Sequence, residues 1–136
     1  LGMGTAAFYV LWDNSAALIS STDDIASALR AGEQWREDVR NATGIITVKS
    51  TSEGETVRMP EGGGKEIVYH FSAGKVRRQL SSGASRLLLA KVKTSQMKLD
   101  ARKRVTAWRW ELKLKERRPE MHLPLWFTFE AAQPTP

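Results

Sequence analysis

The chain has 136 residues, 41% of them hydrophobic, with no cysteine and a formal charge of +6. That length supports one ordinary core, and the absence of cysteine excludes a disulfide scaffold and a thiolate metal site. No uncharged run reaches the roughly 18 residues of a membrane-spanning helix and no basic start with a small-residue cleavage site is visible, so the chain as given is expected to be soluble.

The charge is unevenly placed. Residues 1–43 hold six acids (Asp13, Asp23, Asp24, Glu33, Glu37, Asp38) and three bases (Arg30, Arg36, Arg40), a balance of −3, which leaves nine acids and 18 bases, or +9, for the remainder. Opposite signs in two parts of one chain are consistent with head-to-body packing between copies, with attraction to a polyanion, or with a solvated basic face that maintains solubility.

The first forty or so residues read as one amphipathic helix that begins apolar and ends charged. Leu1 to Trp12 carries no charge, and the first acid is Asp13. An apolar opening of this kind suggests a truncated, membrane-proximal helix. Leu11, Leu18, Ile25, Gly32 and Val39 recur every seven residues, and Ala28, Leu29 and Trp35 widen the same side. That stripe is expected to bury against a sheet. Ser20 to Asp24 resembles a capping signal and predicts a restart or kink there. Asn41-Ala-Thr-Gly44 supplies a stop. Asp23-Asp24 and Glu37-Asp38 are adjacent on the helix and diverge in direction, which suits a solvated face.

Strands with period two follow. Ile46 and Val48 alternate with Thr47 and Lys49, and Thr56 to Met59 forms a short second candidate. Pro60-Glu-Gly-Gly-Gly64 is a loop. It lacks the Lys-Ser/Thr pair of a phosphate cradle and opens a strand instead of a helix. Ile67, Tyr69 and Phe71 share one face, with His70 pointing away, and Ala73-Gly74 is a hairpin turn before Lys75-Val-Arg-Arg78. After a polar break at Leu80 to Ser85, Leu87 to Val92 reads as one buried strand, with a bulge or bend near Thr94-Ser95 before Met97 and Leu99. Asp100 to Arg104 connects to the clearest strand, Thr106 to Lys115, which turns Trp108, Trp110, Leu112 and Leu114 inward and Arg109, Glu111, Lys113 and Lys115 outward. Leu123, Leu125, Phe127 and Phe129 then share one face, and the Pro-Thr-Pro end reads as loose.

The expected fold is therefore α+β: a long N-terminal helix (1–43) packed on an antiparallel β-sheet head (44–136). This order resembles the type IV pilin and type II secretion pseudopilin family over nearly the whole chain. The resemblance is carried by the apolar start Leu1 to Leu11, the helix end Gly32 to Thr43, the hairpin Val68 to Arg78, and the late strands Trp108 to Leu114 and Leu123 to Phe129. Minor pseudopilins of the J and H kinds have a similar helix end, a Tyr-containing hairpin followed by Arg, and a closing Phe strand. The family's basic leader, its Gly before a methylated Phe and its Glu five residues into the mature helix would lie upstream of Leu1.

The resemblance implies a non-enzymatic structural subunit of a pseudopilus or pilus, a minor pseudopilin in a type II secretion-like assembly. It also implies anchorage in the inner membrane through an upstream segment, a periplasmic or extracytoplasmic head, and other pilin-like subunits as partners. On that footing Phe8, Leu11 and Leu18 contact neighbouring helices, while Ile25, Leu29, Trp35 and Val39 hold the subunit's own sheet.

An enzyme is not expected, and neither is a cofactor or metal. The histidines are His70 and His122, without the spacing of a zinc site, and no Gly-x-Ser-x-Gly is present. Ser81, Ser82 and Ser85 sit in a polar break, where nothing in the spacing joins them to His70. Nucleic-acid binding, as in DNA uptake, is the competing expectation. Its candidate basic face is Arg102, Lys103, Arg104, Arg109, Lys113 and Lys115, with Arg117 and Arg118, near Trp108, Trp110 and Trp126. Strand parity already sends Trp108 and Trp110 to the opposite face from Arg109 and Lys113.

Overall fold

A computed structural model describes residues 15–102, 105–115 and 125–133, with helix side chains described from Asp23 onward. The helix α1 (Ser15–Asn41) leads into β1 (Thr47–Thr51), β2 (Gly54–Pro60), a 3-10 turn at Gly62–Gly64, and β3 (Glu66–Ser72). Then come β4 (Lys75–Leu80), β5 (Ser85–Leu89), β6 (Val92–Ala101), β7 (Thr106–Leu114) and β8 (Leu125–Gln133). Strands β1 to β5 form one antiparallel sheet in chain order, and β6 to β8 form a second.

This architecture corrects the expected fold class. The described chain is mainly β, with eight strands divided between two sheets; it is not a long helix packed on a single sheet. The reason lies at Ala90-Lys91. The run Leu87 to Val92, read from sequence as one strand, breaks there, and hydrogen bonding passes from the five-stranded sheet to the three-stranded one. Across the break the Val92 N–H donates to the Gly74 carbonyl and the Lys115 N–H to the Lys91 carbonyl, each at 2.9 Å, which gives both groups partners at the seam. The expected register slip is present a little earlier than predicted, between Val92 and Thr94. The helix also runs through Ser20 to Asp24 without the restart expected there.

One core serves both sheets and the helix. Its largest fully buried side chains include Trp35 from α1, Tyr69 from β3, Trp110 from β7, and Phe127 and Phe129 from β8. Ring centroids lie 5.9 Å apart for Trp35 and Trp110, 6.3 Å for Tyr69 and Trp110 in an edge-on arrangement, and 5.6 Å for Trp110 and Phe129, spacings at which aromatic pairs attract. The Trp110 Nε1–H donates to Ser95 Oγ at 2.8 Å, so the central indole keeps a partner in the dry interior. Helix α1 meets this core through a buried side of small residues, Ala28, Ala31 and Gly32, punctuated by Trp35 and Val39. Small residues let the helix approach β8 closely; a Cβ built on Gly32 would stand 2.2 Å from Phe129 Cε1.

Candidate functional site

Three features of this framework carry polar or exposed chemistry. The first joins the helix to the five-stranded sheet. Asp38 is only 4% exposed, yet its carboxylate accepts from four donors. Arg78 Nε and Nη2 approach its two oxygens at 2.7 and 2.9 Å, the Tyr69 hydroxyl donates at 2.5 Å, and Gln34 Nε2 donates at 3.2 Å. The planar guanidinium engages both carboxylate oxygens, a geometry that a lysine cannot reproduce. Burial, reinforced by the charge of Asp38 and the hydrogen bond to it, pushes the Tyr69 hydroxyl well above its ordinary range. The hydrogen bond from Arg78 to Asp38 raises the guanidinium further. The group is a structural lock: four donors from α1, β3 and β4 converge on the Asp38 carboxylate.

The second feature is a groove beyond the C-terminal end of α1. It encloses about 650 Å³ and is lined by Arg40 to Ile46, Leu99, Thr106, Trp108 and Gln133. The inner face of the three-stranded sheet runs out of cover here. Met97, two residues earlier on β6, is buried, but Leu99 on the same face is 55% exposed beside its cross-strand partner Trp108. Across from them Ile45 is 82% exposed in the connection after Gly44. That connection is held firmly: the Thr43 N–H donates to the Pro60 carbonyl at 2.8 Å, and Gln133 Nε2 donates to the Gly44 carbonyl. An exposed isoleucine on a pinned backbone, opposite an exposed leucine, makes a standing apolar groove.

The third feature is the outer face of the three-stranded sheet. Lys98 pairs with Glu111 at 2.8 Å, Arg102 with Asp100 at 3.0 Å and with Glu130 at 3.9 Å, and Arg109 with Glu130 at 3.5 Å and with Asp100 at 3.8 Å. Lys113 lies over the Trp126 ring, 4.3 Å from its centroid, and Trp126 is 49% exposed. Of the cations read as a free basic face, Arg102 and Arg109 therefore lie among carboxylates, while Lys113 lies over Trp126 and Lys115 is exposed. A phosphate backbone approaching Arg102 or Arg109 in this ladder would meet Asp100 and Glu130 beside them.

Of the residues singled out from sequence, Trp35 and Val39 are fully buried in the core, and Ile25 and Leu29 pack against it partly buried. Phe8, Leu11, Lys103, Arg104, Arg117, Arg118 and His122 lie outside the described residues, as does the side chain of Leu18. Arg102, Arg109 and Lys113 join the outer ladder, and Lys115 is exposed at the end of β7. Trp108 and Trp110 are buried on the opposite face of β7, and Trp126 is the indole that reaches the ladder.

Asp38 departs from its reading as a solvated carboxylate. Its neighbour Glu37 is exposed, whereas Asp38 faces Arg78 across the helix-sheet interface. Glu55 is a second buried acid that sequence patterning missed. It accepts from the Met97 N–H at 3.0 Å and so ties β2 to β6, and desolvation raises its pKa against the lowering effect of hydrogen bonds from Met97 and Ser50. His70 is half-buried between Thr56 Oγ1 and Gln79 Oε1, each 3.3 Å away, and Ser81 bonds to the Glu66 backbone, so neither presents a nucleophile-base pair. Among the described residues no group of three or more His, Asp or Glu could hold a metal ion, and no helix is long and apolar enough to cross a membrane. Comparison of the chain with protein-family models, with curated proteins and with solved structures gives no match.

Proposed function

We propose that this chain is a non-enzymatic assembly subunit, a minor pseudopilin-like component of a pseudopilus or pilus whose head lies outside an inner membrane. The observation that carries the reading is the division of labour along α1. From Ile25 to Val39 the helix is built into the head by Trp35, Val39 and the lock of Asp38 on Arg78 and Tyr69. The sequence entering that helix, Leu1 to Trp12, is uncharged and apolar. A helix clamped into the head and preceded in sequence by an uncharged, apolar stretch suits a subunit that must transmit force from a filament to its head without turning within it.

In this reading Phe8, Leu11 and Leu18 meet neighbouring subunits, and the partners are other pilin-like chains. Leu18→Asp in the source cells, with the native chain recovered from detergent-solubilised membranes, tests the role. The variant is expected to fold with wild-type unfolding behaviour and to lose co-purifying apolar-helix subunits. Retention of those partners, or their absence from the wild-type preparation, would overturn the reading. The outer ladder gives the DNA-uptake alternative no support, because Arg102 and Arg109 are paired to carboxylates.

A further inference from the structure

Among the described residues none fills the groove at the end of α1, although it is apolar, pinned in shape and large enough for two or three side chains. Ile45, Leu99 and Trp108 form its apolar walls. Arg40 lies on its rim and has no ion-pair partner among the described residues.

One stretch of this chain complements that surface. Phe8-Tyr9-Val10-Leu11-Trp12 is uncharged and aromatic-rich, and acids follow it at Asp13, Asp23 and Asp24. Apolar side chains would fill the groove while the trailing carboxylate of Asp13 meets Arg40 on its rim.

Reach decides which copy supplies the segment. Ser15 and Asn41 are the ends of α1, and 26 helical steps separate them by about 39 Å. Phe8 precedes Ser15 by seven residues, which span at most about 25 Å when fully extended. No residue from Phe8 to Trp12 can therefore return along its own helix to the groove at the far end.

We infer that Phe8 to Trp12 of one copy docks in the Ile45–Leu99–Trp108 groove of a second copy. The contact is head-to-tail, so each bound copy leaves one free segment and one free groove, and association continues into open chains or closes into a ring. It deepens the assembly reading by naming a subunit contact, but it is measured on the isolated chain and stands or falls separately from membrane processing.

Sedimentation velocity over a range of concentrations tests it on the chain of residues 1–136. Wild type is expected to associate progressively, and raised salt to weaken the association. Ile45→Asp removes the groove and Leu11→Asp removes the segment, and each alone is expected to sediment as a monomer. Leu99→Asp and Phe8→Asp provide second versions of each defect, and near-ultraviolet circular dichroism confirms the fold of all four. Mixing Ile45→Asp with Leu11→Asp is the decisive step: one intact segment and one intact groove remain, so a discrete 1:1 dimer forms and grows no further. A monomeric wild type would overturn the inference. So would association that survives Leu11→Asp, the behaviour of groove-to-groove contact, or a mixture that stays monomeric.

Discussion

Asp38 and Arg78, forty residues apart in sequence, meet through two hydrogen bonds at the helix-sheet junction, with both side chains mostly removed from water. Removing one partner leaves the other's charge in a site built for a pair. Asp38→Asn is expected to cost about 3 to 5 kcal/mol, the range for a broken buried ion pair. Replacing both members with Asp38→Asn and Arg78→Met is expected to recover part of that loss, since no unpaired charge remains. Urea unfolding of the wild type, both single variants and the double variant measures the coupling. Strictly additive losses would contradict the lock.

Tyr69 contributes to the same carboxylate as a neutral donor. Tyr69→Phe keeps the ring beside Trp110 and deletes one of four donors to Asp38. The expected cost is about 1.5 to 3 kcal/mol, that of a hydrogen bond to a charged group, and less than that of Asp38→Asn. Because the folded state holds the Tyr69 proton more tightly than the unfolded chain does, stability is expected to fall as pH rises through the ordinary tyrosine value of 10.0. In the Phe variant that part of the alkaline decline is absent, which urea midpoints across the alkaline range would reveal.

Gly32 shows how closely helix and sheet approach. Alanine is the better helix former by about 1 kcal/mol. Here its methyl group would overlap the Phe129 ring. Overpacking typically costs about 1 to 3 kcal/mol, so Gly32→Ala is expected to destabilise the protein in net terms. Adding Phe129→Leu should restore part of the loss by opening space on β8. A thermal midpoint above wild type for Gly32→Ala would contradict the packing described.

Glu55 gives a pH dependence of clear sign. Burial raises its pKa in the folded state above the ordinary 4.5, so between 4.5 and the raised value the folded chain binds more protons than the unfolded chain. Stability attributable to this group therefore falls as pH rises through that window. Glu55→Gln keeps an acceptor for the Met97 N–H and removes the charge. The variant is expected to be more stable than wild type at pH 7, with the difference shrinking toward pH 4. A constant difference across that range would show that Glu55 does not titrate as its burial implies.

Much of the strand structure was legible because alternation is a strong signal where one face is dry. Trp108, Trp110, Leu112 and Leu114 on β7 face inward, with Arg109, Glu111 and Lys113 on the other side. The division into two sheets was not legible. Ala90-Lys91 carries neither Gly nor Pro, and period two assigns residues to faces without saying which strands share hydrogen bonds.

The lock was hidden for a related reason. Adjacency of Glu37 and Asp38 reads as a solvated acidic face until the fold places Arg78 opposite one of them. The clue available in sequence was position: Asp38 follows Trp35 by three residues, which on a helix puts both near one side. The groove left no periodic mark, because it arises where Leu99 continues the inner face of β6 beyond the end of the covering helix.

The assembly reading is tested most directly at the native N-terminus of this protein in membrane fractions of its source cells. Mass spectrometry is predicted to find an apolar segment upstream of Leu1, beginning with an N-methylated phenylalanine left by leader cleavage. A native chain that starts near Leu1, or one that carries an unmethylated soluble extension, would contradict the reading.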